Sequence, residues 1–342
     1  MTFDFESNFN RKYSTITRRI IRILCEDSRV PLSGISDAVH ISRRNLAKRL
    51  VSIRREFGLV HTLELNQSGI GLNAPHIIVI KFGERPNIKE VKERLEQSYL
   101  PQLAFTTKGN YDMVIYANAR SRLDYLTWDR EMRRQLASKY DIEWHASEVG
   151  FKRIGFFPIR NKAIDVARVS ERHKTFLKIL NDNSRISFKE LARQLSMNYK
   201  TTIYNFRELL KRNYIRGFTT IMNPPDDISL LSVFIRYALS DDTARLARLT
   251  EEMFTGDDKN SLLSRYLLKV SLVGSYDSFT IGAFDNMNRA RKYCIKLYRD
   301  TFGRFAPVKL AYGEIEQVIL GRLPIRSIDT AKSYKHSPRL IQ

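Results

Sequence analysis

The chain has 342 residues, 43% of them apolar, which leaves room for about two to four domains with real cores. Its 58 Lys and Arg against 37 Asp and Glu give a formal charge of +21 and a pI near 10.0, pointing to a polyanionic partner: nucleic acid first, an anionic membrane surface second. No apolar run approaches the roughly 20 residues of a spanning helix, residues 1–10 lack the pattern of a signal peptide, and Cys25, Cys294 and six scattered histidines form no CxxC or HxH pair, so a soluble cytoplasmic protein without metal or cofactor is expected.

Residues 16–24 carry an apolar stripe at helical spacing, and residues 32–39 form a poorer second helix because Pro31 and Gly34 disrupt its grammar. Ser42 then caps a helix over 43–57, with Leu46, Leu50 and Ile53 inward and Arg43, Arg44, Asn45, Lys48 and Arg49 outward. After Pro75, residues 76–82 read as a buried strand and 87–99 as a helix. Strands over 105–108 and 111–118 enclose Gly109 and Asn110, and a helix over 121–140 and a strand over 142–151 complete the order βαββαβ. Alternation along that last strand is taken to set His145 apart from Glu143. The stretch 153–170 reads as a linker whose Arg153, Arg160 and Lys162, with Lys152 before it, add charge for DNA.

The second half repeats this order with cleaner grammar. An apolar stripe covers 172–180 and ends at Asn181, Asp182 and Asn183. Ser187 and Glu190 have capping-box spacing and launch a short helix through Leu191, Ala192 and Leu195. After Ser196 and Met197, Asn198 caps a helix over 199–212 with Thr202, Phe206, Leu209 and Leu210 inward and Tyr199, Lys200, Thr201, Tyr204 and Asn205 outward. A wing strand over 215–222 ends before Pro224 and Pro225. Then come a strand (230–239), a helix (242–254), strands over 266–273 and 276–284, a helix (288–302), a strand (308–320), and a tail with Arg322, Arg326, Lys332, Lys335 and Arg339.

The two halves are one pattern used twice. Ser28-Arg29-Val30 returns as Ser184-Arg185-Ile186, 156 residues later, and the register holds through Leu24 and Leu180, Ile35 and Leu191, Leu50 and Phe206, and Leu59 and Ile215. Gly109, Asn110, Tyr111 and Asp112 return as Gly274, Ser275, Tyr276 and Asp277. A period this long is too long for a solenoid and reads as a duplicated domain pair. Each third helix presents its polar residues from the geometry that enters a major groove. There Arg and Lys suit phosphates and guanine edges, Asn suits adenine, and Tyr or Thr reaches phosphates or a thymine methyl.

With Ser184-Arg185-Ile186, Glu190-Leu191-Ala192, the cap at Asn198 with Thr201, the exit Ile215-Arg216-Gly217-Phe218 and Gly-x-Tyr-Asp in a βαββαβ unit, the chain resembles the Lrp/AsnC (feast/famine) transcription regulators, over residues 14–320 and twice over. The resemblance implies an α+β fold, in which two winged helix-turn-helix domains (11–66 and 168–224) alternate with two ferredoxin-like βαββαβ domains (74–158 and 228–321), ahead of a basic tail (322–342). It implies double-stranded DNA as partner, contacted from Ser42, Arg43, Arg44, Asn45, Lys48 and Arg49, and from Asn198, Tyr199, Lys200, Thr201, Tyr204 and Asn205. Family members pair through their sheets, so the tandem chain is expected to be a covalent pseudo-dimer that forms homodimers or higher oligomers, associated with the nucleoid. An amino acid-like effector is implied at Gly109, Asn110, Tyr111, Asp112, Gly274, Ser275, Tyr276 and Asp277.

The sequence departs from the family at Gly34-Ile35-Ser36, where Glu-Leu-Ala is usual, and at Asn205, where Arg is usual. The expectation is a sequence-specific, non-enzymatic regulator with two unlike hands. The alternatives are a low-specificity DNA-packing protein, or a sirohaem-decarboxylase-like enzyme of the same build.

Overall fold

The computed structural model describes residues 14–223, 229–237, 266–284 and 307–325. Helices α1 (Thr15–Glu26), α2 (Leu32–Val39) and α3 (Arg43–Phe57) lead into strand β1 (Val60–Leu65). There follow β2 (Ala74–Phe82), α4 (Ile88–Gln97), β3 (Pro101–Gly109), β4 (Met113–Ala119), α5 (Arg122–Ala137) and β5 (Ile142–Ile154). A short α6 (Asn161–Asp165) precedes α7 (Glu171–Asp182), α8 (Phe188–Gln194), α9 (Tyr199–Lys211) and β6 (Ile215–Ile221). Strands β7 (Ser229–Tyr237), β8 (Tyr266–Gly274), β9 (Ser278–Phe284) and β10 (Pro307–Leu320) complete the described chain. The helices expected over 242–254 and 288–302, and the tail beyond residue 325, lie outside the described residues.

Local chemistry sets the helix ends. Ser14, Ser42, Ser170, Ser187 and Asn198 each accept a hydrogen bond from a backbone N–H of the first turn they cap. The expected capping box at Ser187 forms only by half. Glu190 donates its backbone N–H to Ser187 Oγ at 3.2 Å, but its carboxylate turns to Arg193 and Gln194 instead. Helix α2 is more regular than its sequence suggests. Pro31 sits just before it at φ −58°, already near the helical value, so its ring helps the helix start.

In both copies the turn into the third helix uses a left-handed residue, His40 (φ 55°) and Ser196 (φ 50°), 156 positions apart. The next amide closes each turn: Ile41 N–H on Ser36 O at 3.2 Å, and Met197 N–H on Ala192 O at 3.0 Å.

The wing strand expected over 215–222 forms as β6. It pairs antiparallel with β1 of the other copy, from Val60 opposite Ile221 to Leu65 opposite Ile215, so one two-stranded ribbon ties the two three-helix units together.

The remaining eight strands close into a barrel in the order β10-β3-β4-β2-β5-β8-β9-β7. Within it, each half keeps the same internal order, β3-β4-β2-β5 and β8-β9-β7-β10. The halves meet at two seams, β10 on β3 and β5 on β8. The central run of β2, Ile77 to Ile80, is apolar because both its faces are covered. Ile77 and Val79 join the cluster inside the barrel, and Ile78 and Ile80 pack beneath α4 and α5 with Val91, Leu95, Met132 and Leu136. Pro75 lies at the start of β2, opposite Asn118 of β4 and ahead of the pairing with β5, where a missing N–H costs least. On β5, His145 Nε2 stands 4.0 Å from Glu143 Oε2, against the expectation that they face apart, because residues two apart on a strand share a face.

The segment read as a linker is a packed element. Phe156, Phe157, Ile159, Ala163, Ile164 and Ala167 are buried, the last four in the cluster that holds Leu63, Leu65, Phe176, Leu180 and Phe206.

Candidate nucleic-acid interface

The joint between the two three-helix units is made by the residues that repeat in the sequence. Ser28 and Ser184 meet hydroxyl to hydroxyl at 2.6 Å, both fully buried. Their neighbours cross over: Arg29 Nη1 donates to Ser184 O at 2.6 Å, and Arg185 donates to Ser28 O. The Arg29 guanidinium also stands over Phe188, Phe206 and Phe218 at 4.9, 5.0 and 5.5 Å. The positions 156 before those rings hold Leu32, Leu50 and Thr62, so Arg185 has no such cage and the two sides of the joint differ. Burial pulls both arginines below their ordinary pKa, with Asp27 partly offsetting it. Beside them, His61 Nδ1 lies 2.8 Å from Thr220 Oγ1. Burial and then the charges of Arg185 and Arg54 push this imidazole down to about 4.

This joint holds α3 and α9 with their polar faces outward. Ser42 and Asn198 are the caps of these helices, with Ser42 Oγ accepting from Asn45 N–H at 3.3 Å and Asn198 Oδ1 from Thr201 N–H at 2.8 Å. Arg43, Arg44, Asn45 and Lys48 are exposed, as are Tyr199, Lys200 and Tyr204, while Thr201 is half-buried. Two expected contact residues are spoken for. Arg49 Nη1 donates to Ser14 Oγ at 3.2 Å and Thr17 Oγ1 at 3.3 Å, fastening α3 to α1. Asn205 is only 5% exposed and donates Nδ2–H to Thr201 O at 2.8 Å, which corrects its assignment to the outer face.

The repeated Gly-x-Tyr-Asp loops lie at the two seams of the barrel. Asn110 N–H donates to Tyr312 O at 2.9 Å and its Oδ1 accepts from Tyr312 N–H at 3.0 Å, across the first seam. Tyr111 is buried, and its hydroxyl donates to Ser232 O of the other half at 2.8 Å. Asp112 accepts from Lys81 Nζ at 3.0 Å and Phe82 N–H at 2.8 Å. At the second seam Tyr276 N–H meets Ser147 Oγ at 3.3 Å, its ring packs on Phe234, and Asp277 N–H donates to Ile235 O at 2.8 Å. The second residue of this set, Ser275, joins Gly274 to Tyr276 in the bend between β8 and β9.

Two of the basic linker residues, Arg160 and Lys162, are internal fasteners, which corrects their reading as DNA-facing charge, whereas the side chains of Lys152 and Arg153 are not among those described. Arg160 Nη1 donates to Pro101 O at 2.7 Å, and Lys162 Nζ binds the carbonyls of Glu96 and Gln97 at 2.7 and 2.9 Å, at the C-terminal end of α4. Of the tail cations, Arg322 is exposed, and the others lie outside the described residues. Sequence reasoning missed Ser28, Arg29, Ser184 and Arg185 as a contact set. The available signal was their identity in both copies, since residues on a pseudo-twofold axis must suit each other. Among the described residues no group of His, Cys, Asp and Glu could hold a metal ion, and no helix is long and apolar enough to cross a membrane.

A family model described as winged helix-turn-helix DNA-binding matches residues 176–216, from the middle of α7 to the start of β6. Two curated relatives, uncharacterized HTH-type transcriptional regulators of Pyrococcus abyssi and Pyrococcus furiosus, are each 25% identical over 111 residues, covering 32% of this chain and 74% of theirs. Among solved structures, the siroheme decarboxylase NirDL in complex with an iron-uroporphyrin III analogue aligns over 93% of this chain and 96% of its own, at TM-score 0.59 and 12% identity. An AsnC family transcriptional regulator from Agrobacterium tumefaciens aligns over 39% of this chain and 89% of its own, at TM-score 0.34 and 15% identity.

Proposed function

We propose that this chain, an Lrp/AsnC-like protein with a winged helix-turn-helix, is a sequence-specific regulator that grips double-stranded DNA with two unlike helix-turn-helix units on a covalent pseudo-dimer. The observation that carries the reading is the joint of β1 on β6 with Ser28 on Ser184, which supports two outward-facing third helices on one rigid base. The charge of +21 supports a polyanionic partner, and the exposure of Arg43, Arg44, Lys48 and Lys200 on the third helices supports reading those helices as the groove-facing elements. Each unit is read as one hand of an asymmetric binder, with a ferredoxin-like half-barrel beneath it.

The test uses two double variants of the full chain, Arg43→Ala with Arg44→Ala and Lys200→Ala with Tyr204→Ala. Each is expected to weaken DNA binding about tenfold or more at physiological salt while thermal unfolding stays cooperative. Parent-like affinity in both variants would overturn the reading. An amino acid-like effector belongs to the same proposal. It would act at Gly109 to Asp112 or Gly274 to Asp277 by opening a seam, and amino acid titrations that leave DNA affinity unchanged would remove it.

A second reading, a tetrapyrrole-acting enzyme, is favoured by the whole-length fold likeness to NirDL, which at 12% identity is a likeness of fold. It predicts a haem-like absorbance change when an iron tetrapyrrole is added to the purified chain. The low-specificity packing alternative predicts equal competition by genomic DNA and by a selected site.

A further inference from the structure

Aligned by the 156-residue repeat, the third helices carry the same cores and different outer faces. Helix α3 holds Arg43, Arg44, Lys48, Arg49, Arg54 and Arg55 against Glu56 alone, whereas α9 holds Lys200, Arg207 and Lys211 against Glu208. On α9, Glu208 pairs with Arg212 at 3.4 Å, while among the described residues Arg43, Arg44 and Lys48 take no ion-pair partner. Three of the first four cations of α3 give way in α9 to Tyr199, Tyr204 and Asn205, and Asn205 is buried. The two tyrosines are 54% and 64% exposed, and among the described residues neither ring has a stacking or hydrogen-bond partner. They flank Lys200 and Thr201 on the face where copy one is almost wholly cationic.

The two faces must therefore gain energy from DNA in different ways. Cations that neutralise phosphates release counterions, a contribution that is steep in salt and blind to sequence, and an Arg or Lys adds base readout only where it turns to a guanine edge. A neutral aromatic with a hydroxyl releases no counterion, and it gains by displacing water from sugars, thymine methyls and base edges, which differ from site to site. We infer that the hands divide the work: α3 supplies most of the salt-dependent affinity, and α9, through Tyr199, Thr201 and Tyr204, supplies most of the sequence preference. This rests on the DNA-binding reading above.

The experiment compares two full-chain variants on a duplex selected from a random pool by the parent chain and on a scrambled duplex, across a salt series. Arg43→Ala with Arg44→Ala and Lys48→Ala is expected to weaken both duplexes alike and to lower the slope of log Kd against log salt by about two to three, at roughly 0.9 per phosphate contact. Tyr199→Ala with Tyr204→Ala is expected to leave that slope within about half a unit and to cut the preference for the selected duplex about tenfold or more. Tyr199→Gln with Tyr204→Gln serves the same purpose if the alanine pair melts early.

Equal slope losses in the two variants would overturn the division, as would a tyrosine pair that weakens both duplexes alike. A parent that binds both duplexes equally overturns the division while leaving DNA binding intact. A parent with a flat salt profile overturns the DNA-binding reading, and the division with it.

Discussion

Ser28 and Ser184 show how much a single contact can say about a duplicated chain. Each hydroxyl is buried and has the other as partner at 2.6 Å, so removing one leaves its mate unsatisfied. We expect Ser28→Ala or Ser184→Ala alone to cost about 1–3 kcal/mol and the double variant to cost clearly less than the sum. Urea unfolding of the four-member cycle checks this, and strict additivity would refute the coupling. His61 adds a pH dependence at the same joint. Its folded pKa, about 4, lies below the ordinary 6.5, so the folded state holds fewer protons than the unfolded chain. The stability it contributes is full above about pH 6.5 and is lost as pH falls toward 4, by up to about 1.4 kcal/mol per unit. Burial lowers His76 and His173 as well, so the informative measurement is the difference between the parent and His61→Gln, whose unfolding midpoint should fall less between neutral and mildly acidic pH.

Elements were legible where one helix or strand carries its own signal. The caps at Ser42 and Asn198 and the apolar stripes through Leu46 and Ile53, or Phe206 and Leu209, mark α3 and α9 from sequence because those signals act within a turn or two. Strand β6 was legible as a strand but not as half of a ribbon, since its partner lies in the other copy.

The barrel seams follow the same rule. Each seam is bounded by glycines from the two halves, Gly109 with Gly321 and Gly274 with Gly155. Gly155 and Gly321 adopt φ of 77° and 72°, and a Cβ on either would strike a carbonyl across the seam, Leu267 O or Gln102 O. Gly155→Ala and Gly321→Ala are each expected to destabilise by more than about 1 kcal/mol, from backbone strain plus the clash. Gly217, whose Cβ would meet nothing within 4 Å, is the control and should change stability far less when replaced by Ala. Equal melting temperatures for all three variants would remove the seam argument.

At the scale of the molecule, two unlike third helices on one base bear on the operator. If one chain binds as a pseudo-dimer, footprinting should show two half-sites of different sequence, protected together. A strict palindrome would mean that two chains associate and restore symmetry. The duplication, the expected order of helices and strands, the charge and the candidate DNA-facing residues were all present in the amino-acid sequence, because composition, periodicity and repetition are local or countable.

What only the tertiary structure decided is which residues are already occupied. Asn205 and Arg49 are turned to their own scaffold, Arg160 and Lys162 fasten the linker, and Tyr111 closes a seam. The same step made the repeated serines and arginines into a joint. Asn205 bonds within its own helix, to Thr201 four residues back, but the other partners lie between 32 and 157 residues away, and hydrogen bonds over such separations leave no period in the sequence for a reader to find.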